Sequence, residues 1–318
     1  MKYLLAVLFG AMSYGVLSTI VVLAYGKGYV LGEVVGSQLL TGCILAWGLA
    51  IFTKWRERRA LRERERESSG QQPAIIAPAA GKLTWKQRLL LMAAGTPTAI
   101  TGLLYYQSLR YIPASLAIIL LFQFTWMGVL YQAVSQRKRP TGIMFLTLAV
   151  LLGGTLLAAG ILGQGATKLN LMGIVLGILS AVSYSLFIVV SGKAVPSVHP
   201  AYRSVWMLTG GMLLVFILFP PYFLFNGLLW GDLLLFGFLL GLFGAFIPPV
   251  LFAVGVPHIG EGMAGILGAA ELPVAVLLSS FILHEQVSLL QWGGVGLVLL
   301  GVALPELLKS RRRSSSAH

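Results

Sequence analysis

Ten runs of about twenty apolar residues, separated by short polar segments, leave this chain few ways to fold. They lie at roughly 3–24, 30–53, 87–109, 113–135, 142–162, 170–191, 205–226, 233–256, 262–283 and 288–308, spans 1 to 10 in chain order. A helix rising about 1.5 Å per residue needs a run of that length to cross a hydrocarbon core of roughly 30 Å. In lipid, only a helix or a closed barrel satisfies its own backbone hydrogen bonds. With 57% hydrophobic and 10% charged residues and a mean hydropathy of +0.87, the sequence lies outside the range of soluble domains. The expected fold class is an all-α membrane protein with ten transmembrane helices. Span 1 follows Lys2 but precedes no small-residue cleavage site, so it reads as a retained span rather than a signal peptide.

The net charge of +13 is distributed as a topology signal. With the N-terminus inside, 20 of the 23 Lys and Arg residues fall on the inner side, leaving only Lys27, Arg110 and Lys168 outside. The positive-inside rule therefore places both termini in the cytoplasm, and nucleic acid is not needed to explain the basic balance. Trp55, Trp85, Trp206, Trp230 and Trp292 fall near span ends, as an interfacial aromatic belt requires. The single cysteine, Cys43, lies in an apolar span and reads as a small core residue.

The chain repeats itself. Laying Ile112–Leu157 on Ile259–Leu304, a constant shift of 147, aligns Ala117 with Ala264, Leu120 with Leu267, Val129 with Val276 and Gly154 with Gly301 without a gap. Near the start of each half, Ser13–Tyr14 falls on Ser183–Tyr184 at a shift of 170. The extra 23 residues in the first half belong in the polar loop after span 2. Five spans per half is an odd number, so the two halves insert in opposite orientation. The expected organisation is a first five-helix repeat at 1–165 carrying a cytoplasmic charged loop at 54–86, a second inverted repeat at 166–310, and a basic cytoplasmic tail at 311–318. Inverted repeats of this kind place a site near mid-membrane where the halves meet. Gly32/Gly36, Gly173/Gly177 and Gly237/Gly241 offer close helix approach.

Span 9, GMAGILGAAELPVAVLLSSFILHE, carries a carboxylate near its centre. An acid at that depth costs at least a few kcal/mol and needs a partner or a proton. No Lys or Arg falls in the interior of any span, so Glu271 has no intramembrane cation. It is the candidate for a coupling proton. Pro273 cannot donate to the carbonyl of Ala269, which predicts a break beside the acid, with a half-helix starting at Pro273 and aiming its positive end at the carboxylate. Pro97 in span 3 and Pro248–Pro249 in span 8 sit at nearly matching places and read as helix breaks lining a cavity.

Polar side chains recur at helical spacing: Tyr14 and Ser18, Gln38 and Thr41, Thr98, Thr101 and Tyr105, Gln123 and Trp126, Ser180 and Tyr184. Singly, each reads equally as a helix–helix hydrogen bond. Together they predict a polar, aromatic-walled pocket for a small amphipathic or aromatic solute, or for a cation held by ring faces. The candidate substrate-binding residues are Glu271, Gln123, Trp126, Tyr14, Tyr184, Tyr105, Gln38, Thr98 and Thr101.

The end of the second half, AAELPVAVLLSSFILHEQVSLLQWGGVGLVLLGV, resembles the recurrent pattern of the ten-span EamA-type family of the drug/metabolite transporter superfamily. Glu-x-Pro, an apolar run, an apolar-x-Glu turn and a Gly-rich last span fall in order, with Glu271, Pro273 and Glu285 at the matching positions. The first half departs from it: Phe124 and Trp126 replace the acid and proline, and Gln136–Arg137–Lys138 replaces the acidic turn. The resemblance implies a secondary transporter that exports or exchanges metabolites, amino acids or drug-like compounds across a bacterial inner membrane. A membrane scaffold and an intramembrane lipid-acting enzyme are the rivals. No H-E-x-x-H, G-x-S-x-G or phosphate-binding loop occurs, so no catalytic set, cofactor, metal or ATP motor is expected. The charged segment KWRERRALRERERE should extend span 2 as a helix near anionic lipid head groups, followed by a linker, SSGQQPAIIAPAAG.

Overall fold

The computed structural model describes residues 1–67, 83–127, 142–158, 170–195, 198, 200–259 and 261–315. Among these the chain is helical with no strand. Five helical stretches are long and apolar enough to cross a membrane: Lys2–Gly26, Leu31–Ala60, Trp85–Ser108, Leu171–Ser191 and Asp232–Ile259. Shorter apolar helices, Ala114–Met127, Phe145–Ala158, Tyr202–Leu218, Ile266–Ile282 and Leu289–Leu304, occupy the remaining five apolar runs. The charged segment after span 2 does continue its helix, which runs from Leu31 to Glu67. The linker after it and the Gln136–Arg137–Lys138 turn lie outside the described residues.

Local sequence sets the helix starts. Thr84 and Gln87 form a reciprocal cap at the head of span 3, the Gln87 amide donating to Thr84 Oγ1 and the Thr84 amide to Gln87 Oε1. Ser288 and Gln291 repeat that device at span 10. Asn170 Oδ1 accepts from the Met172 amide at span 6. Span 4 begins after Pro113 and is capped from elsewhere in the chain: the Ala114 and Ser115 amides donate to the two carboxylate oxygens of Glu285, at 2.6 and 3.1 Å. That explains the acid of the turn after span 9, since a carboxylate at a helix start meets both unpaired N–H groups and the positive dipole end. Span 7 ends at Leu218, short of its hydropathy run, because Pro220–Pro221 cannot continue it and single helical turns follow at Tyr222–Leu224 and Leu228–Trp230.

The helices pack in a pattern with an internal logic. Span 3 packs on spans 6 and 7, and span 8 packs on spans 1 and 2. Span 4 packs on span 6, and span 9 on span 1. Spans 2 and 7, 4 and 9, and 5 and 10 pair with each other. Replacing each span by the one five further on reproduces every one of these contacts. The core runs through the middle of the bundle, where Val21, Val34, Ala117, Leu272, Val276 and Val298 are fully buried. Ile217 and Phe281, at 77% and 74% exposed, stand on its outer surface, which suits lipid and not water. The glycine pairs face inward: Gly32 and Gly36 admit Phe219 and Phe223, Gly173 and Gly177 admit Ile112 and Leu120, and Gly237 and Gly241 admit Ser37 and Thr41. Spans 3 and 7 cross most closely, where a β-carbon on Gly95 would stand 1.9 Å from the Met207 carbonyl oxygen.

The prolines behave differently from expectation. Span 3 is a continuous helix through Pro97. The Ala93 carbonyl that Pro97 cannot reach accepts instead from the Thr96 hydroxyl, at 2.8 Å, so the lost bond is replaced and no break is needed. Pro248 and Pro249 also lie inside a helical run, entered through a wider π-helical turn at Gly241–Phe246 that changes the hydrogen-bond register ahead of them. Span 9 is interrupted at Ala269–Ala270, before the acid, so its second half begins at Glu271 and not at Pro273. Pro273 still fits this break, because the carbonyl four residues back from it is that of Ala269.

Candidate solute cavity

Span 4 is interrupted too. Its helix Ala114–Leu121 stops, Phe122 and Gln123 form a turn, and helix resumes at 124–127. Adding 147 to Phe122–Gln123 gives Ala269–Ala270, and three backbone hydrogen bonds recur at that offset. The Gln123 amide donates to Leu120 O at 3.1 Å and the Ala270 amide to Leu267 O at 3.1 Å. Thr125 donates to Phe122 O and Leu272 to Ala269 O, both at 3.1 Å. Met127 donates to Gln123 O at 3.3 Å and Val274 to Ala270 O at 3.4 Å. The first-half break forms with Trp126 where the second half has Pro273, so proline alone does not account for it. The residue opening each second segment is Phe124 in one half and Glu271 in the other.

Serines on spans 1 and 6 brace the helices alongside. Ser13 Oγ donates to the Phe243 carbonyl within the π-helical turn of span 8, at 2.8 Å. Ser183 Oγ donates to the Pro97 carbonyl of span 3, also at 2.8 Å. These are the two serines that the shift of 170 superimposes. Each ties its helix to a neighbouring span that carries a proline, and each precedes a tyrosine, Tyr14 or Tyr184, on the wall of one central cavity. Gly15 completes the approach of span 1: a β-carbon there would sit 2.7 Å from the Glu271 carbonyl oxygen and 2.8 Å from Val274.

That cavity has a volume of about 770 Å³ and is lined from both halves. Of the candidate binding residues it gathers Tyr14, Gln38, Thr98, Thr101, Tyr105, Tyr184 and Glu271, together with Pro248 and Pro249. Glu271 is half-buried, its remaining surface facing this space. Four tyrosines, Tyr14, Tyr105, Tyr106 and Tyr184, share this wall with it. Among the described lining residues there is no Lys, Arg or His, and Glu271 forms no ion pair. Around the tyrosines, Gln38 bonds the Tyr106 hydroxyl, and the buried hydroxyls of Ser18 and Tyr105 adjoin each other.

Gln123 and Trp126 are not on this wall. Gln123 is 5% exposed and fully engaged: its amide nitrogen donates to Ile119 O at 3.0 Å and Thr155 Oγ1 at 2.7 Å, and its Oε1 accepts from Trp126 Nε1 at 3.0 Å. The three-residue spacing that made them look like a shared cavity face instead closes a hydrogen bond between them, and Thr155 ties both to span 5. Pro97 and Pro273 are likewise absent from the wall. The neighbours Phe122, Phe124 and Thr125 do line it. Phe124 stands edge-on to Tyr184, with ring centroids 4.6 Å apart at 87°, and Phe187 stacks beyond at 6.1 Å. Tyr106 and Phe187 are lining residues that the polar spacing did not mark. Tyr106 follows Tyr105, and Phe187 lies three residues after Tyr184, so both continue faces already in view. Leu17, Met207, Leu208 and Phe252 also line the space, and nothing in their type separates them from lipid-facing residues.

Residues 171–305 match the EamA-like transporter family. The chain is 26% identical over 207 residues to a protein of Synechocystis sp. described as an uncharacterized transporter, the match covering 63% of this chain and 61% of that one. The chain thus spans about three-fifths of the length of the curated relative it matches. A protein of known crystal structure shares its fold, with a TM-score of 0.62 and 17% identity over 96% of this chain and 98% of the other. The EamA-like match falls on the part of the chain that holds Glu271, Pro273 and Glu285, and with the apolar helices it indicates a multi-pass membrane protein.

Proposed function

We propose that this protein is a secondary transporter that moves a small amphipathic metabolite or drug-like solute by alternating access, its two inverted five-helix halves rocking about the central cavity. The observation that carries this reading is the position of Glu271, an acid without a counter-ion at a mid-span helix break, on the wall of a cavity roomy enough for such a solute. Support for the inverted halves comes from the exchange symmetry of the packing and from the matched breaks. The ten-span arrangement puts Lys27, Asp232, Ala114 and Glu285 at the same membrane face. Consistent with that, Lys27 Nζ lies 3.4 Å from Asp232 Oδ2, and Glu285 caps Ala114. The same arrangement sets both termini in the cytoplasm of a bacterial inner-membrane protein, with the basic loop after span 2 against anionic lipid head groups.

In this scheme Glu271 carries the coupling proton, and solute and proton occupy the cavity in turn. Export or exchange follows if the cavity faces each side alternately, a motion the breaks accommodate because they need no continuous helix ladder there. Reconstituted vesicles test the reading. The wild type should concentrate solute under a pH gradient, and Glu271→Gln should abolish that dependence. Flux no greater than that of empty vesicles, across a panel of amino acids and drug-like solutes, would sink it; a mutant with undiminished gradient dependence would remove Glu271 from the coupling step.

A further inference from the structure

The cavity differs at its two repeat-related positions, and the difference specifies a ligand. One segment opens on a carboxylate, Glu271; its counterpart opens on an aromatic ring, Phe124. Both line the same space. The carboxylate end has no cation among the described lining residues, so the space carries an unneutralised negative centre whenever Glu271 is ionised. A charge removed from water with no partner is costly, and a ligand that brings the opposite charge relieves that cost. An anionic group would meet repulsion at the same place. Tyr14, Tyr105, Tyr106 and Tyr184 line the same space as the acid, and aromatic rings favour a cation through their negative quadrupoles. Another part of the wall, Phe124 standing edge-on to Tyr184, is aromatic and suits a ring or hydrocarbon body.

We propose that the cavity selects amphipathic organic monocations, the ammonium seated against Glu271 among the tyrosines and the apolar body seated against Phe124 and Tyr184. This rests on the reading of the cavity as the solute site, and names the charge and shape of the solute. A zwitterion such as an aromatic amino acid fits less well, because its carboxylate finds no basic side chain on the described wall. The volume of about 770 Å³ leaves room for one molecule of drug-like size.

Equilibrium dialysis on the detergent-purified full chain tests the charge rule apart from transport. Radiolabelled benzyltrimethylammonium should bind saturably, at least about tenfold more tightly than benzenesulfonate or benzyl alcohol. Glu271→Gln should weaken the cation by about tenfold or more while leaving benzyl alcohol unchanged, and Glu271→Asp should retain most of the affinity. Phe124→Leu should weaken benzyltrimethylammonium several-fold and leave tetramethylammonium, which has no ring, as it was. If Glu271→Gln fails to fold, the charge series on the wild type and the Asp and Leu variants decide the matter. Equal binding of the sulfonate, or cation binding indifferent to both wall residues, overturns the proposal. Vesicle flux of a zwitterionic or neutral solute without cation binding would overturn the cation rule and leave the transporter reading standing; cation binding without flux does the reverse.

Discussion

The interruptions of span 4 and span 9 share a backbone and little else. Both are turns of two residues, and three amide-to-carbonyl bonds recur at a constant offset of 147. Yet the first has Phe122, Gln123, Phe124 and Trp126 where the second has Ala269, Ala270, Glu271 and Pro273. In the first, a side-chain amide inside the turn bonds Thr155 and Trp126 and holds the break shut. In the second, small residues let span 1 come within contact of the Glu271 carbonyl, and the acid is left facing the cavity. One copy closes its polar group into a strut and the other turns it to the cavity: a shared backbone does not decide where the polar groups go.

Substitutions sharpen that division, in descending order of effect. Gly15→Leu forces a side chain into the Glu271 carbonyl and Val274; overpacking of this kind costs roughly 1–3 kcal/mol and more where backbone must move, so the variant should show the largest fall in detergent melting temperature. Gln123→Leu strands the Trp126 indole N–H and removes the bond to Thr155, whose hydroxyl keeps its own bond to the Leu151 carbonyl; an unmet buried group costs about 1–3 kcal/mol, so stability should fall while the apparent solute affinity of the remaining folded protein stays put. A loss of affinity equal to that of a wall variant would show that the strut reaches the solute after all. Glu285→Gln keeps an acceptor but removes the charge from the head of span 4, lowering stability by about 0.5–2 kcal/mol as helix caps do, read as a modest melting shift. Pro273→Ala should change least, under about 1 kcal/mol, because the first half makes the same turn without proline. A large change there would mean that the two turns have different causes.

Much of this was visible in the chain beforehand, for a physical reason. Burial of apolar faces sets the spans, and the period of a repeat survives in residues such as Ala117 and Ala264 even when most neighbours have diverged. The pairing of Ser13 with Ser183 was legible as an alignment; that both donate to a backbone carbonyl of a neighbouring span was not, since it needs the facing helix. Glu271 stood out because an acid within an apolar span is costly without a partner or a proton. Gln123 and Trp126 misled because a polar pair at three-residue spacing looks alike whether it faces a cavity or closes on itself. The apolar half of the wall, Met207, Leu208 and Phe252, was invisible because hydrophobic residues in a lipid-spanning chain carry no mark of which way they face.

The clasp of Glu285 on Ala114 and Ser115 has an energetic property that the Gln123 network lacks. It sits at a helix mouth, where water can take over both amide protons the moment the carboxylate swings away, so opening it costs little more than the loss of a charge-assisted bond. The bonds around Gln123 have no such substitute in a dry interior. A bundle built this way can part at its rim and hold at its waist.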